Sequence, residues 1–329
     1  MYKRAILSIT NRCNLRCLHC YNASARDISV EKKIEWINDD FACKLKELGV
    51  YHIGLTGGEP LLRYEHLLNY VNLFSKYHFY IVLTTNGIFL DDEKIEELTQ
   101  RGVNLIQISV DGANKESHEF IRGEGTYEPI IKFFREDKYK KYNLFPMYTI
   151  NKHNYKEIET YIEQMIMYGV SQIGFERYIP ATGLNVELLE LSPDILHESY
   201  EKIFMYENKI DIHVNDPLYT AFKLSKSNAS MEVVRFIEEW KVGCSAGESS
   251  IYIDANGNLY PCTFSKDSVF NVCEADISTL SNNITYNCAT EESKCSKCKY
   301  ARVCGGCRAA ALYKTNGSWG GNDPLCFIN

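Results

Sequence analysis

No stretch of this 329-residue chain approaches the roughly 20 consecutive apolar residues that a bilayer requires, so no membrane association is expected. The opening apolar run, Ala5 to Thr10, is too short for a signal peptide, and a cytoplasmic location follows. An excess of positive charge is also missing. A formal net charge of -7 argues against a nucleic-acid partner held by phosphate neutralisation. Low-complexity linkers and sequence repeats are absent, and a composition of 45% hydrophobic and 24% charged residues excludes a disordered or fibrous chain.

Cysteine, by contrast, is plentiful. In a reducing compartment thirteen cysteines are poor disulfide candidates and good metal ligands. Ten fall at two motif sites, leaving Cys43, Cys273 and Cys288. Cys43 is expected in the core, on the apolar face of the first helix, and the other two are expected to be structural or extra ligands. The first site is Cys13, Cys17 and Cys20, spaced Cx3Cx2C. Three thiolates are one fewer than the four irons of a cubane cluster need, which leaves one iron open. A structural zinc, the competing reading, wants four protein ligands.

From Ala5 onward, short β-rich runs alternate with longer amphipathic stretches, as in repeated βα units with parallel strands. The six runs are Ala5 to Thr10, His52 to Thr56, Tyr80 to Thr85, Asn104 to Val110, Leu144 to Ile150 and Ser171 to Glu176. Helices are predicted over Glu31 to Leu48, Tyr64 to Tyr77, Asp91 to Arg101, Tyr127 to Asp137 and Tyr155 to Tyr168, with a sixth after Ser192-Pro193. Such units form an open doubly wound sheet or a partial barrel, and either one puts function in the loops after the strands. The polar motifs sit there: the cysteine loop, Thr56-Gly57-Gly58-Glu59-Pro60, Thr85-Asn86-Gly87, Asp111-Gly112 and Arg177-Tyr178-Ile179-Pro180. Past Asn208 come an extended piece, Asp211 to Val214, a helical patch around Met231 to Trp240, and a cysteine-rich tail with hairpin-like runs about Asn256-Gly257.

On the Cx3Cx2C loop, with His19 before the last cysteine, the chain resembles the radical S-adenosylmethionine (SAM) superfamily over residues 1 to about 215. That resemblance implies a partial (β/α)6 TIM-like barrel and a 4Fe-4S cluster on Cys13, Cys17 and Cys20 whose open iron chelates SAM. It places His19 near the adenine and Gly57, Gly58 and Glu59 by the methionine amino group, where glycine permits close approach of backbone. Ser109 and Asp111 would meet the ribose and carboxylate, and Arg122 would pair with the carboxylate as a planar bidentate donor. Asn86 is either a further SAM contact or a turn residue in left-handed geometry. The implied chemistry is reductive cleavage of SAM to a 5'-deoxyadenosyl radical that abstracts hydrogen from a substrate C–H bond.

The tail runs Cys244-x12-Gly257-x4-Cys262, then Cys295-x2-Cys298-x5-Cys304-x2-Cys307, then Cys326, and resembles the SPASM extension of radical SAM enzymes. By that resemblance Cys295, Cys298, Cys304 and Cys326 hold one auxiliary iron-sulfur cluster, and Cys244, Cys262 and Cys307 hold a second with an open iron or a further ligand. A zinc ribbon competes for the central quartet. The expected division is a radical SAM partial barrel at 1–215, a bridging region at 216–243 and a small cysteine-rich iron-sulfur domain at 244–329. Relatives of this layout point to a ribosomally made peptide as substrate, brought by a separate recognition protein or bound directly, since only twelve residues precede Cys13. Tailoring of a tetrapyrrole or another small cofactor precursor is the alternative, favoured by Cys304 to Ala309 and by Asp323-Pro324-x-Cys326. Glu176, Arg177 and Tyr178 are the substrate-side candidates, or else an internal ion pair, and a reductant such as flavodoxin or ferredoxin is the implied partner. An iron-sulfur electron-transfer protein and a zinc-stabilised binding module are the readings from other classes.

Overall fold

A computed structural model describes residues 2–23, 34–180, 183, 185–239, 243–265, 268–282, 293–314 and 320–328. Cys288, the first residues of the predicted helix from Glu31, and Trp240 lie outside the described residues. The strands are β1 (Arg4–Ser8), β2 (His52–Thr56), β3 (Tyr80–Thr85), β4 (Val103–Ser109), β5 (Leu144–Ile150), β6 (Gln172–Arg177), β7 (Asp211–Val214), β8 (Ser250–Ile253), β9 (Asn258–Tyr260) and β10 (Phe270–Asn271). The helices are α1 (Asp39–Glu47), α2 (Tyr64–Lys76), α3 (Asp92–Gln100), α4 (Lys115–Arg122), α5 (Tyr127–Arg135), α6 (Ile158–Met167), α7 (Val186–Leu189), α8 (Pro193–Phe204), α9 (Pro217–Lys226), α10 (Met231–Glu239), α11 (Lys294–Lys297) and α12 (Arg308–Lys314).

The chain divides into two compact units, one of Met1–Val110, Arg122–Pro146 and Ala246–Tyr286, the other of Asp111–Ile121, Met147–Ser245 and Asn287–Asn329. In the first unit β1 to β4 run parallel in sequence order, each linked to the next across a helix or a helix-bearing connection. Ile53 and Leu55 on β2 and Ile81 and Leu83 on β3 are fully buried, as strands covered on both faces must be. β8 pairs parallel with the outer edge of β1, Arg4 opposite Ser250 and Leu7 opposite Ile253. β9 returns antiparallel through the turn at Asn256-Gly257, where Gly257 takes a left-handed φ of 84°. The hairpin therefore matches the sequence pattern. Its place on the main sheet does not follow from that pattern, because pairing across 246 residues leaves no local signature.

In the second unit β5, β6 and β7 are parallel, Met147 opposite Gly174 and Gln172 opposite Asp211. Behind them Tyr148, Tyr161 and Phe175 pack with ring centroids 4.6 to 5.8 Å apart. Phe327, near the chain's end, packs on His197, Tyr200 and Phe222 and ties the tail to α8 and α9.

The helix ends follow capping chemistry. α1 begins at Asp39 rather than Glu31 because the Asn38 side chain accepts the Phe41 N–H. It buries Phe41, Ala42 and Leu45 and leaves Cys43 exposed, so Cys43 is a surface residue and not a core one. α8 starts as predicted, with the Ser192 hydroxyl accepting from Ile195 and Pro193 in the first turn. The same pairing, Asp216 before Pro217, starts α9, a helix the hydrophobic pattern did not announce.

Candidate functional site

β1 and β2 both end at the cysteine loop. Past the ladder the Gly58 N–H donates to the Thr10 carbonyl and the Glu59 N–H to the Arg12 carbonyl, each at 2.7 Å. A Cβ on Gly57 would stand 2.4 Å from the Thr10 oxygen, and one on Gly58 would stand 2.1 Å from that of Arg12. The paired glycines therefore let the segment after β2 lie against the segment leading into Cys13. This is a close approach of backbone to backbone, distinct from the ligand contact expected from sequence. Cys13, Cys17 and Cys20 follow on a half-exposed loop, unbridged, with the Leu15 N–H 3.4 Å from the Cys13 sulfur.

The carboxylate of Glu59 is fully buried and takes three donors: the Leu61 N–H and Thr85 hydroxyl on one oxygen, the Asn86 N–H on the other. Burial pushes its pKa up, against those hydrogen bonds and the charge of Arg122. Asn86 is not left-handed; the positive φ of 79° belongs to Gly87. Its carbonyl oxygen accepts the Ile88 N–H, while its amide donates to Asn14 at 2.9 Å and lies 4.0 Å from the Cys13 sulfur. One chain of contacts thus runs from Glu59 through Asn86 to the first cysteine.

Arg122, the last residue of α4, is buried rather than solvated. Its guanidinium lies 3.9 Å from the Cys17 sulfur and 3.4 Å from His19 Nε2. The sequence candidates Cys13, Cys17, His19, Glu59, Asn86 and Arg122 are therefore neighbours in the first unit. Ser109 ends β4 and is half-buried. Cys262 belongs to this unit too, with the Phe264 N–H 3.5 Å from its sulfur, and Tyr21, next to Cys20, packs edge-on against Phe264 at 5.8 Å and Tyr252 at 6.4 Å. Tyr21 was not singled out in the sequence; its place directly after the cysteine motif is the signal.

The second unit holds Asp111, fully buried, whose carboxylate accepts the Thr149 N–H at 2.7 Å and whose carbonyl accepts from Asn154. That bond braces β5. Glu176 is half-buried and accepts from Thr149; Tyr178 is buried, and burial raises its pKa. Arg177 is an internal ion pair, buried between Asp216 and Asp323, with Nε 2.9 Å from Asp216 and Nη1 3.2 Å from Asp323. Asp323 in turn accepts the Cys307 N–H at 2.8 Å and the Leu325 N–H at 3.0 Å. Burial would raise the Asp323 carboxyl, but the Arg177 charge and these hydrogen bonds hold it below the ordinary value.

Three of the tail cysteines share one local feature. Cys298 accepts from the Tyr300 N–H at 3.4 Å, Cys304 from Gly306 at 3.3 Å and Cys307 from Ala310 at 3.5 Å. Backbone N–H groups aimed at sulfur stabilise thiolate and are the outer-shell contacts that iron-sulfur sites use. Burial raises the pKa of the free Cys304 and Cys307 thiols, so a cluster would have to displace their protons on binding. Among the described residues no three His, Cys, Asp or Glu side chains converge as ligands of a single ion do. At Cys13, Cys17 and Cys20 the donor chemistry is three thiols on one loop, the set that a 4Fe-4S cluster with three protein ligands would use.

The chain is similar to known proteins. A sequence profile described as Radical SAM superfamily matches residues 7–165. The AdoMet-dependent heme synthase of Methanosarcina barkeri is 28% identical over 97% of this chain and 94% of its own length. The Fe-coproporphyrin III synthase of the same organism is 25% identical over 98% and 87%. The structure of Streptococcus suis SuiB bound to the precursor peptide SuiA superposes with a TM-score of 0.80 at 18% identity, covering 99% of this chain and 76% of that one. The shared fold is the parallel α/β partial barrel of radical SAM enzymes. The profile match takes in the cysteine loop, the Gly-Gly-Glu-Pro turn, Asn86 and Arg122, and over that stretch the chain is similar to the radical SAM superfamily.

Proposed function

We propose that this enzyme binds SAM at a 4Fe-4S cluster held by Cys13, Cys17 and Cys20, with Arg122 and His19 beside the cluster loop and Gly57, Gly58, Ser109 and Asp111 as further SAM-side residues. The observation that carries this reading is the pinned cysteine loop: Gly58 and Glu59 bond its approach, and Asn86 and Arg122 reach the sulfurs of Cys13 and Cys17. When bound, cluster and SAM supply a 5'-deoxyadenosyl radical that takes hydrogen from a substrate C–H bond, and auxiliary clusters supply an acceptor for a further electron. The chain's own part is placement. Glu59 fixes the loops after β2 and β3, Asn86 carries that order to Cys13, and Arg122 offers a bidentate cation for a carboxylate.

Cys244, Cys262, Cys295, Cys298, Cys304, Cys307 and Cys326 are assigned to two auxiliary clusters, supported by the N–H···S contacts at four of the seven. The functional boundaries at 215 and 243 belong to the same proposal, although the contacts of the chain divide otherwise. Arg177 is assigned to structure, which leaves Glu176 and Tyr178 as substrate-side candidates.

For the substrate, the end-to-end likeness to two tetrapyrrole synthases favours a tetrapyrrole or similar cofactor precursor. A ribosomally made peptide is the second reading, favoured by the fold match to an enzyme holding its precursor peptide, with a separate recognition protein as a further partner. Flavodoxin or ferredoxin is the proposed reductant. Among the described residues no helix is long and apolar enough to cross a membrane. The test is anaerobic reconstitution with iron and sulfide counting, followed by a 5'-deoxyadenosine assay under dithionite. Iron without that product would overturn SAM cleavage and favour plain electron transfer. Turnover assays against an iron porphyrin precursor and against peptides encoded beside the gene then separate the two substrates.

A further inference from the structure

The second unit contains two buried arginines, and their surroundings differ. Arg177 lies between two carboxylates, which neutralise it. Arg308, 5% exposed, directs Nη2 to the Cys295 sulfur at 3.6 Å, Nη1 to the Gly321 carbonyl at 2.7 Å and Nε to the Gly306 carbonyl at 3.4 Å. Three segments of the tail thus meet at one guanidinium. Gly306 makes room for this contact. A Cβ there would stand 2.7 Å from Arg308 Nη2 and 3.1 Å from the Cys295 sulfur, and its φ of 68° is left-handed. The Gly306 N–H meanwhile points at the Cys304 sulfur, so Cys295 and Cys304 are both served from the same turn.

Resting on the auxiliary-cluster reading above, we propose that Arg308 is a positioning residue that sets the reduction potential of the cluster assigned to Cys295, Cys298, Cys304 and Cys326. A cluster on four thiolates is anionic and becomes more so on gaining an electron. A buried cation donating to one of its sulfurs favours the reduced form more than the oxidised one, through charge and hydrogen bond together. The inherent competitor is that Arg308 merely ties Gly306, Gly321 and the Cys295 loop into one fold.

The experiment uses the full chain carrying Cys13→Ala, Cys17→Ala and Cys20→Ala, so that only tail clusters contribute, with Arg308 intact or changed to Lys or Gln. Iron and sulfide are counted, and each protein is titrated with dithionite while reduced clusters are followed by electron paramagnetic resonance. Arg308→Gln is expected to retain iron and to shift one reduction step at least tenfold toward the oxidised form, about 59 mV for one electron. Arg308→Lys, which keeps the charge, is expected to recover most of that shift. Equal potentials in all three proteins at equal iron would overturn the inference while leaving the cluster reading intact, and loss of iron from both variants would do so by assigning Arg308 to folding. No iron in the parent triple variant would overturn the cluster reading itself, and the inference with it.

Discussion

The cysteine loop of the first unit and the cysteine tail of the second are held by different means. The loop is half-exposed and pinned from below by main chain, with Gly58 and Glu59 donating to Thr10 and Arg12, while Asn86 and Arg122 reach two of its sulfurs. Around the tail cysteines lie buried ionic side chains, with Arg177 and Asp323 behind Cys307 and Arg308 against Cys295. Cys13, Cys17 and Cys20 are all half-exposed on this loop. In the tail, buried ionic side chains brace the segments that carry Cys295 and Cys307.

The largest effect comes from removing the first set of thiols alone. Cys13→Ala, Cys17→Ala and Cys20→Ala together are expected to abolish 5'-deoxyadenosine formation while tail iron persists. Undiminished product would end the assignment of SAM cleavage to this loop. Next in size is Gly58→Ala, whose new Cβ would fall 2.1 Å from the Arg12 carbonyl. The strand ends must part by more than an ångström, and displacement on that scale costs a positioned reaction about 10²-fold. The readout is kcat for 5'-deoxyadenosine at equal iron content, with tail iron unchanged.

How much of this was legible in the sequence follows from the range of each interaction. β1 to β6, five of the helices and the motifs after five of the six strands are written in local periodicity and capping residues, and the elements appear within a few residues of their predicted ends. α1 is the exception at its start, because Asn38 caps it. The pairing of β8 with β1, and of Arg177 with Asp216 and Asp323, joins residues far apart in sequence, and no spacing rule announces it. The Gly-Gly pair was legible as a close approach, but what it approaches needed the fold. Cys43 misled because it lies among the buried Phe41, Ala42 and Leu45 in sequence while its own side chain faces outward.

The bracing in the second unit is tested by Asp323→Asn. It leaves Arg177 with one carboxylate and one oxygen short at Cys307 N–H or Leu325 N–H, and breaking a buried pair of this kind costs about 3–5 kcal/mol. Chemical denaturation at neutral pH measures the loss. A value under 1 kcal/mol would mean that the ion pair is not what holds the tail.

The smallest effect, and the most diagnostic for the comparison, is Glu59→Gln. The carboxylate accepts from Leu61, Thr85 and Asn86; an amide nitrogen must face one of these donors, at a cost of about 1–3 kcal/mol. The two buried carboxylates also titrate in opposite senses. The folded pKa of Asp323 lies below its ordinary 3.8, so its contribution is full above that value and is lost as the pH falls through the lower folded one. That of Glu59 lies above its ordinary 4.5, so its contribution is full below 4.5 and is lost as the pH rises through the folded value. Stability measured against pH should therefore show the wild type gaining on Glu59→Gln as the solution is acidified toward 4.5, and losing its advantage over Asp323→Asn below 3.8. Parallel slopes for the two variants would show that the carboxylates are not differently housed, and the contrast between the pinned loop and the braced tail would rest on the glycines alone.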